Sequence, residues 1–96
     1  MKYKVIMEIK KLILPLLIQF QVKKAGIFGS FARNEEKDQS DLDLLIEIDS
    51  QKSLFEIIDL KIKLEEKIGR KVDLVEYDCI NPMLKEKILN EEMRIL

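Results

Sequence analysis

Ninety-six residues, 47% apolar and 36% charged, suffice for one domain (1–96) with a single modest core, and the composition is neither disordered nor membrane-embedded. Seventeen basic against eighteen acidic side chains leave a net charge of −1, which excludes a broad basic field for gripping long nucleic acid. The absence of histidine and the single cysteine, Cys79, exclude histidine-based zinc sites, histidine general bases and an internal disulfide framework, so any catalysis must rest on carboxylates, lysines, hydroxyls or a metal held by oxygen.

In the first twenty residues Val5, Ile6, Ile9, Leu12, Ile13, Leu16 and Leu17 recur at three- and four-residue steps, the period of a helix. Pro15 lacks a backbone donor and crowds the preceding turn, so it is expected to kink this segment or to start a second helix. The longest apolar stretch, Leu12 to Ile18, falls far short of the ~20 residues a membrane helix needs. Glu8 and the lack of a small-residue cleavage site argue against a signal peptide, and the expectation is a soluble, cytoplasmic protein. The helix holds more apolar side chains than one face needs; core packing is the stronger reading and a partner surface the other.

A short strand is predicted from Lys24 to Phe28, then a brief helical turn after Gly29-Ser30 and a polar loop from Asn34 to Ser40. Leu42 to Ile48 reads as a second, central strand, apolar on both faces past its first residues. Ser53 and Glu56 form a Ser-x-x-Glu capping pattern ahead of a stripe of Leu54, Ile57, Leu60, Leu64 and Ile68, with Gly69 as the left-handed stop. A third strand spans Lys71 to Tyr77. Asn81-Pro82 opens a last helix to about Glu92, and Arg94 to Leu96 leave room for a short fourth strand. The fold class is therefore α+β in two layers, a mixed sheet of three core strands flanked by helices. The helical crossover makes strands two and three parallel, and the shorter return makes strands one and two antiparallel.

Those directions bring Gly29-Ser30, at the end of strand one, beside Asp41 and Asp43 at the start of strand two, and Asp73 beside them from strand three. Asp41 and Asp43, two apart, leave one face of a strand. Carboxylates so close repel unless a proton or a cation lies between them. An oxygen-only ligand set beside a phosphate-binding turn suits Mg²⁺, and Asp73 would complete a two-metal arrangement while serving as general base. Gly29 lets a phosphate approach the backbone, Ser30 offers an amide and a hydroxyl, and Arg33 lies on the same face of the turn, within reach of a phosphate. Each aspartate also has a structural reading: Asp41 capping a turn, Asp43 at a solvated strand end, Asp73 paired with Lys71 or Arg70. Lys23 and Lys24 have a smaller claim to a triphosphate, Arg70 and Lys71 are expected to cap the preceding helix, and Cys79 to fill a loop.

Gly29-Ser30, ten residues, Asp41-x-Asp43 and a downstream strand Asp73 resemble the signature of the DNA polymerase β-like nucleotidyltransferase superfamily. The segments Gly-Ser-Phe-Ala-Arg and Ser-Asp-Leu-Asp-Leu-Leu resemble its minimal nucleotidyltransferase (MNT) group. The resemblance implies a nucleotidyltransferase-like mixed sheet and Mg²⁺-dependent transfer of a nucleoside monophosphate, AMP from ATP, with release of pyrophosphate. It implies catalytic and metal roles for Asp41, Asp43 and Asp73, with nucleotide contacts at Gly29, Ser30 and Arg33. The partner it implies is a small helical HEPN-domain toxin, adenylylated by an antitoxin of a type VII-like pair, as a homo- or hetero-oligomer. Asn34 departs from the glycine usual after the arginine, and as the residue most tolerant of a left-handed backbone after glycine it should preserve the turn. The competing functions are nucleotidyl transfer to a small molecule of the aminoglycoside kind and a non-catalytic antitoxin that acts by binding alone.

Overall fold

The structure, a computed structural model, describes residues 2–37, 40–49 and 51–96, with side chains described from Lys4 onward. Asp38 and Gln39 of the predicted polar loop, and Met1 of the predicted first helix, lie outside the described residues. The chain runs α1 (Lys2–Gln19), β1 (Lys24–Phe28), β2 (Leu42–Glu47), α2 (Leu54–Ile68), β3 (Val72–Glu76), a short 3₁₀ turn (Tyr77–Cys79), α3 (Pro82–Glu91) and β4 (Met93–Arg94). The four strands form one sheet in the order β3-β2-β1-β4. β2 pairs parallel with β3, while β1 runs antiparallel to both β2 and β4, as the lengths of the connections predict.

Strand alternation gives the sheet two different faces. Leu42, Leu44 and Ile46 of β2, with Ala25 and Ile27 of β1 and Val72 of β3, point into the main core. There they meet the buried stripe Ile6, Ile9, Ile13 and Leu17 of α1 and Leu60 and Leu64 of α2. The intervening residues, Gly26 and Phe28, Asp43 and Leu45, Asp73 and Val75, occupy the other face, where α3 packs.

Helix ends follow their local chemistry, with two departures from expectation in α2. α1 runs through Pro15, and no second helix starts there. Pro15 and Lys11 are both exposed, so the carbonyl deprived of its helical donor can turn to water. Only half of the capping box at α2 forms: the Ser53 hydroxyl accepts from the Glu56 amide, but the Glu56 carboxylate pairs with Lys52 at 3.4 Å. Leu54, counted in the apolar stripe, stays 70% exposed. Gly69 ends α2 at φ 72°, and Asn81 caps α3 by accepting from the Met83 amide.

Gln21, at φ 61°, closes α1: the Val22 amide donates to the Leu17 carbonyl and the Gln21 amide to that of Ile18. This αL ending on a non-glycine residue went unforeseen, because nothing in a glutamine marks a left-handed stop.

Candidate active site

The connection from β1 to β2 carries most of the site. Gly29 adopts φ 75°, and a Cβ placed there would run into the Asp43 carboxylate. Two constraints therefore demand glycine: the left-handed backbone and the close approach of the aspartate. After Gly29 the chain makes one helical turn, with the Arg33 amide donating to the Gly29 carbonyl. It closes as α1 does, the Glu35 amide donating to the Ser30 carbonyl and the Asn34 amide to that of Phe31, with Asn34 at φ 60°. Asn34 thus holds the left-handed position that the resemblance reserves for glycine.

Asp43 is a central-strand residue flanked in register by Phe28 on β1 and Asp73 on β3. Asp41 precedes β2 and is exposed, as is Asp73, whereas Asp43 is half-buried. Burial pushes the Asp43 carboxyl up to about 6, helped by the negative charges of Asp73 and then Asp41. The three carboxylates thus share one region of the second face, and two of them act electrically on the third. Among the described residues no group of three or more acidic or cysteine side chains closes tightly enough to hold a metal ion. The donor set nonetheless suits a hard cation: every ligand is an oxygen, and the crowding that raises the proton affinity of Asp43 is what a positive ion would relieve.

Arg70 holds this region together. Its guanidinium donates to the Ser40 carbonyl at 2.8 Å and lies over the Phe31 ring, 4.9 Å from the centroid. It thereby ties the residue before Asp41, and the Gly-Ser turn, to the start of β3. The expectation that Arg70 caps α2 is corrected: the Gly69 amide donates to the Glu65 carbonyl, which ends the helix locally, and frees the arginine to reach across.

The predicted phosphate residues also divide. Gly29 and Arg33 line an open groove of about 240 Å³ with Phe28, Asp43, Leu84, Lys87, Ile88 and Glu91. Ser30, half-buried, follows Gly29 in the helical turn and does not line the groove. Lys24 lies at the far end of β1 with its ammonium 4.2 Å from the centre of the Tyr77 ring, five residues and roughly 16 Å of strand from Gly29. A triphosphate role at the Gly-Ser turn is therefore out of its reach. Cys79 is exposed, in the 3₁₀ turn, and not the loop filler expected of it.

Glu91 and Lys87 were not foreseen. Both project from α3 into the groove, one helical turn apart. The Glu91 carboxylate accepts from the Gly29 amide at 3.0 Å and from the Arg33 guanidinium at 3.2 Å. No local signal marks Glu91, since the contact spans 62 residues of sequence.

The class defined by this fold and arrangement is that of nucleotide-transferring enzymes: the chain belongs to the family described as Polymerase beta, Nucleotidyltransferase, which it matches over residues 10–96. A candidate protein adenylyltransferase of Methanocaldococcus jannaschii is 50% identical over 89 residues, covering 93% of this chain and 96% of the relative. A solved structure of a candidate minimal nucleotidyltransferase superposes with a TM-score of 0.80 at 31% identity, covering 97% of this chain and 95% of the other. The fold recurs, at 17% identity and a TM-score of 0.72, in a chain of the tri-AMPylated Shewanella oneidensis HEPN toxin in complex with MNT antitoxin, covering all of this chain and 72% of that one.

Proposed function

We propose that residues 1–96 form a single minimal nucleotidyltransferase domain that moves AMP from ATP to a hydroxyl of a small helical HEPN-domain toxin, and so works as an antitoxin in the cytoplasm. The observation that carries this reading is the register of Asp43 with Asp73 on parallel neighbours, with Gly29 pressed against the Asp43 carboxylate. The family supplies the reaction class, and the names of the relatives supply AMP and a protein acceptor. No described helix is long and apolar enough to cross a membrane.

In this reading Asp41 and Asp43 would hold Mg²⁺, and Asp73 would complete the set for a second ion. When bound, the ions neutralise the triphosphate and the crowded carboxylates. Gly29 and Ser30 present backbone amides, and Ser30 a hydroxyl, to the β- and γ-phosphates. Asp73 accepts the proton of the acceptor hydroxyl as its oxygen bonds to the α-phosphorus. The bond from that phosphorus to the bridging oxygen breaks, and pyrophosphate departs with the electron pair.

Incubation with α-labelled ATP, Mg²⁺ and a purified HEPN partner tests this. Label should pass to the partner with the wild-type protein and fall at least ~100-fold with Asp41→Asn or Asp43→Asn, the scale of losing charge stabilisation at a reacting phosphate. A partner that is inhibited yet unlabelled would instead make this a binding-only antitoxin.

A further inference from the structure

The Gly29 amide and the Arg33 guanidinium, the groups placed to receive a nucleotide phosphate, are both engaged by one carboxylate of the same chain. Glu91 reaches them from the last turn of α3, with its side chain only 15% exposed. Its Oε1 accepts from both donors, and Oε2 stands 3.2 Å from the same guanidinium nitrogen. A carboxylate in this position meets an amide and a guanidinium as a phosphate oxygen would, with the same geometry and sign of charge.

We infer that Glu91 is an internal phosphate surrogate, which a bound triphosphate must displace from Gly29 and Arg33. The inference rests on the nucleotide-binding reading of the Gly29 turn and adds a competitor to it. An incoming phosphate and the Glu91 carboxylate cannot share one amide hydrogen, and two anions at that spacing repel. Glu91 and Asp43 line the same groove. Departure of Glu91 from Gly29 and Arg33 therefore frees the donors and takes a negative charge away from them. Two features of the groove favour the exchange. Lys87, one turn earlier on α3, lines it and offers a positive charge to the incoming phosphates. Arg33 is also held by Glu35 at 2.9 Å, so its guanidinium stays at the turn when Glu91 leaves.

The test is the affinity of the full chain for α,β-methylene-ATP with Mg²⁺, measured by calorimetry for the wild type, Glu91→Gln and Glu91→Ala. Glu91→Gln keeps a neutral acceptor for Gly29 and should bind several-fold more tightly than wild type; Glu91→Ala, which keeps nothing, should gain roughly tenfold, the scale of one charge-assisted hydrogen bond no longer in competition. Equal affinities would overturn the surrogate while leaving the nucleotide site standing. Weaker binding by both variants would overturn it too, and make Glu91 a contributor to the nucleotide–metal complex. No binding by any of the three proteins would remove the nucleotide-site reading itself, and the surrogate with it. NMR of the wild type covers a variant that fails to fold. On adding the analogue, the Gly29 amide and the Glu91 carboxyl carbon should shift together, whereas a Gly29 shift with an unmoved Glu91 carboxyl contradicts the exchange.

Discussion

Asp43 is fully charged only well above pH 6, because burial and the two neighbouring aspartates oppose its ionisation. Its folded value lies above the ordinary 3.8, so between about pH 4 and 6 the native state holds the proton more tightly than the unfolded chain. Stability from this group is therefore complete below pH 4, falls as the pH rises to about 6, and stays at the lower level beyond. In chelator, Asp43→Asn should be more stable than wild type at pH 7.5, by about 1 kcal/mol after allowing for the solvent that reaches the carboxylate, with the difference gone near pH 4. Thermal unfolding at both pH values checks this, and a destabilised variant at pH 7.5 would contradict it. Gly29→Ala is the opposite case. Its φ of 75° and the Asp43 carboxylate both reject a methyl group, and the variant should lose about 2 kcal/mol or more in denaturant unfolding. The meeting of Gly29, Asp43 and Asp73 was legible in the sequence because the connection lengths set the strand directions that bring them side by side. Glu91 was not, since one glutamate among many acquires meaning only when α3 crosses the second face of the sheet.

At the scale of elements, the clearest signals were local. The apolar stripe of α2, Gly69, and Asn81-Pro82 each sit where the sequence puts them, because caps and periodicity are settled within a turn or two of chain. Leu54 and Glu56 departed because burial at a helix end depends on what packs there, and the Glu56 carboxylate has Lys52 as a competing partner. Two turns end on left-handed non-glycine residues, and they should respond differently. Gln21→Gly removes the cost of holding a long side chain at φ 61° and should stabilise the protein by roughly 0.5–1 kcal/mol. Asn34→Gly gains less, since asparagine tolerates this conformation, and should shift stability by under roughly 0.5 kcal/mol. Comparing the two urea midpoints decides it; equal gains would mean the local backbone does not set the cost. Arg70 works between elements. Arg70→Ala should cost about 1–2 kcal/mol by removing a charge-assisted bond to the Ser40 carbonyl and the contact with Phe31, and Arg70→Lys should recover only part. Chemical denaturation of both variants measures this.

For the molecule as a whole, the sheet has two unlike faces. One face, under α1 and α2, is apolar and closed; the other holds Asp43, Asp73 and the groove under α3. The sequence showed Asp41 and Asp43 leaving one face of β2 and connection lengths that set strand direction, but β2 reads as apolar on both faces beyond them, and the division emerges only where α3 packs on the second face. Ile13 is fully buried in the first face, and Ile13→Ala should cost roughly 2–5 kcal/mol in denaturant unfolding by leaving a cavity. The central claim, that the second face transfers a nucleotide to a protein, is tested most directly with ATP labelled at either end. Given Mg²⁺ and the HEPN partner, α-labelled ATP should mark the partner while γ-label leaves as pyrophosphate, and Asp43→Asn should abolish the transfer. γ-Label on the partner, or α-label transferred equally by Asp43→Asn, would contradict the account.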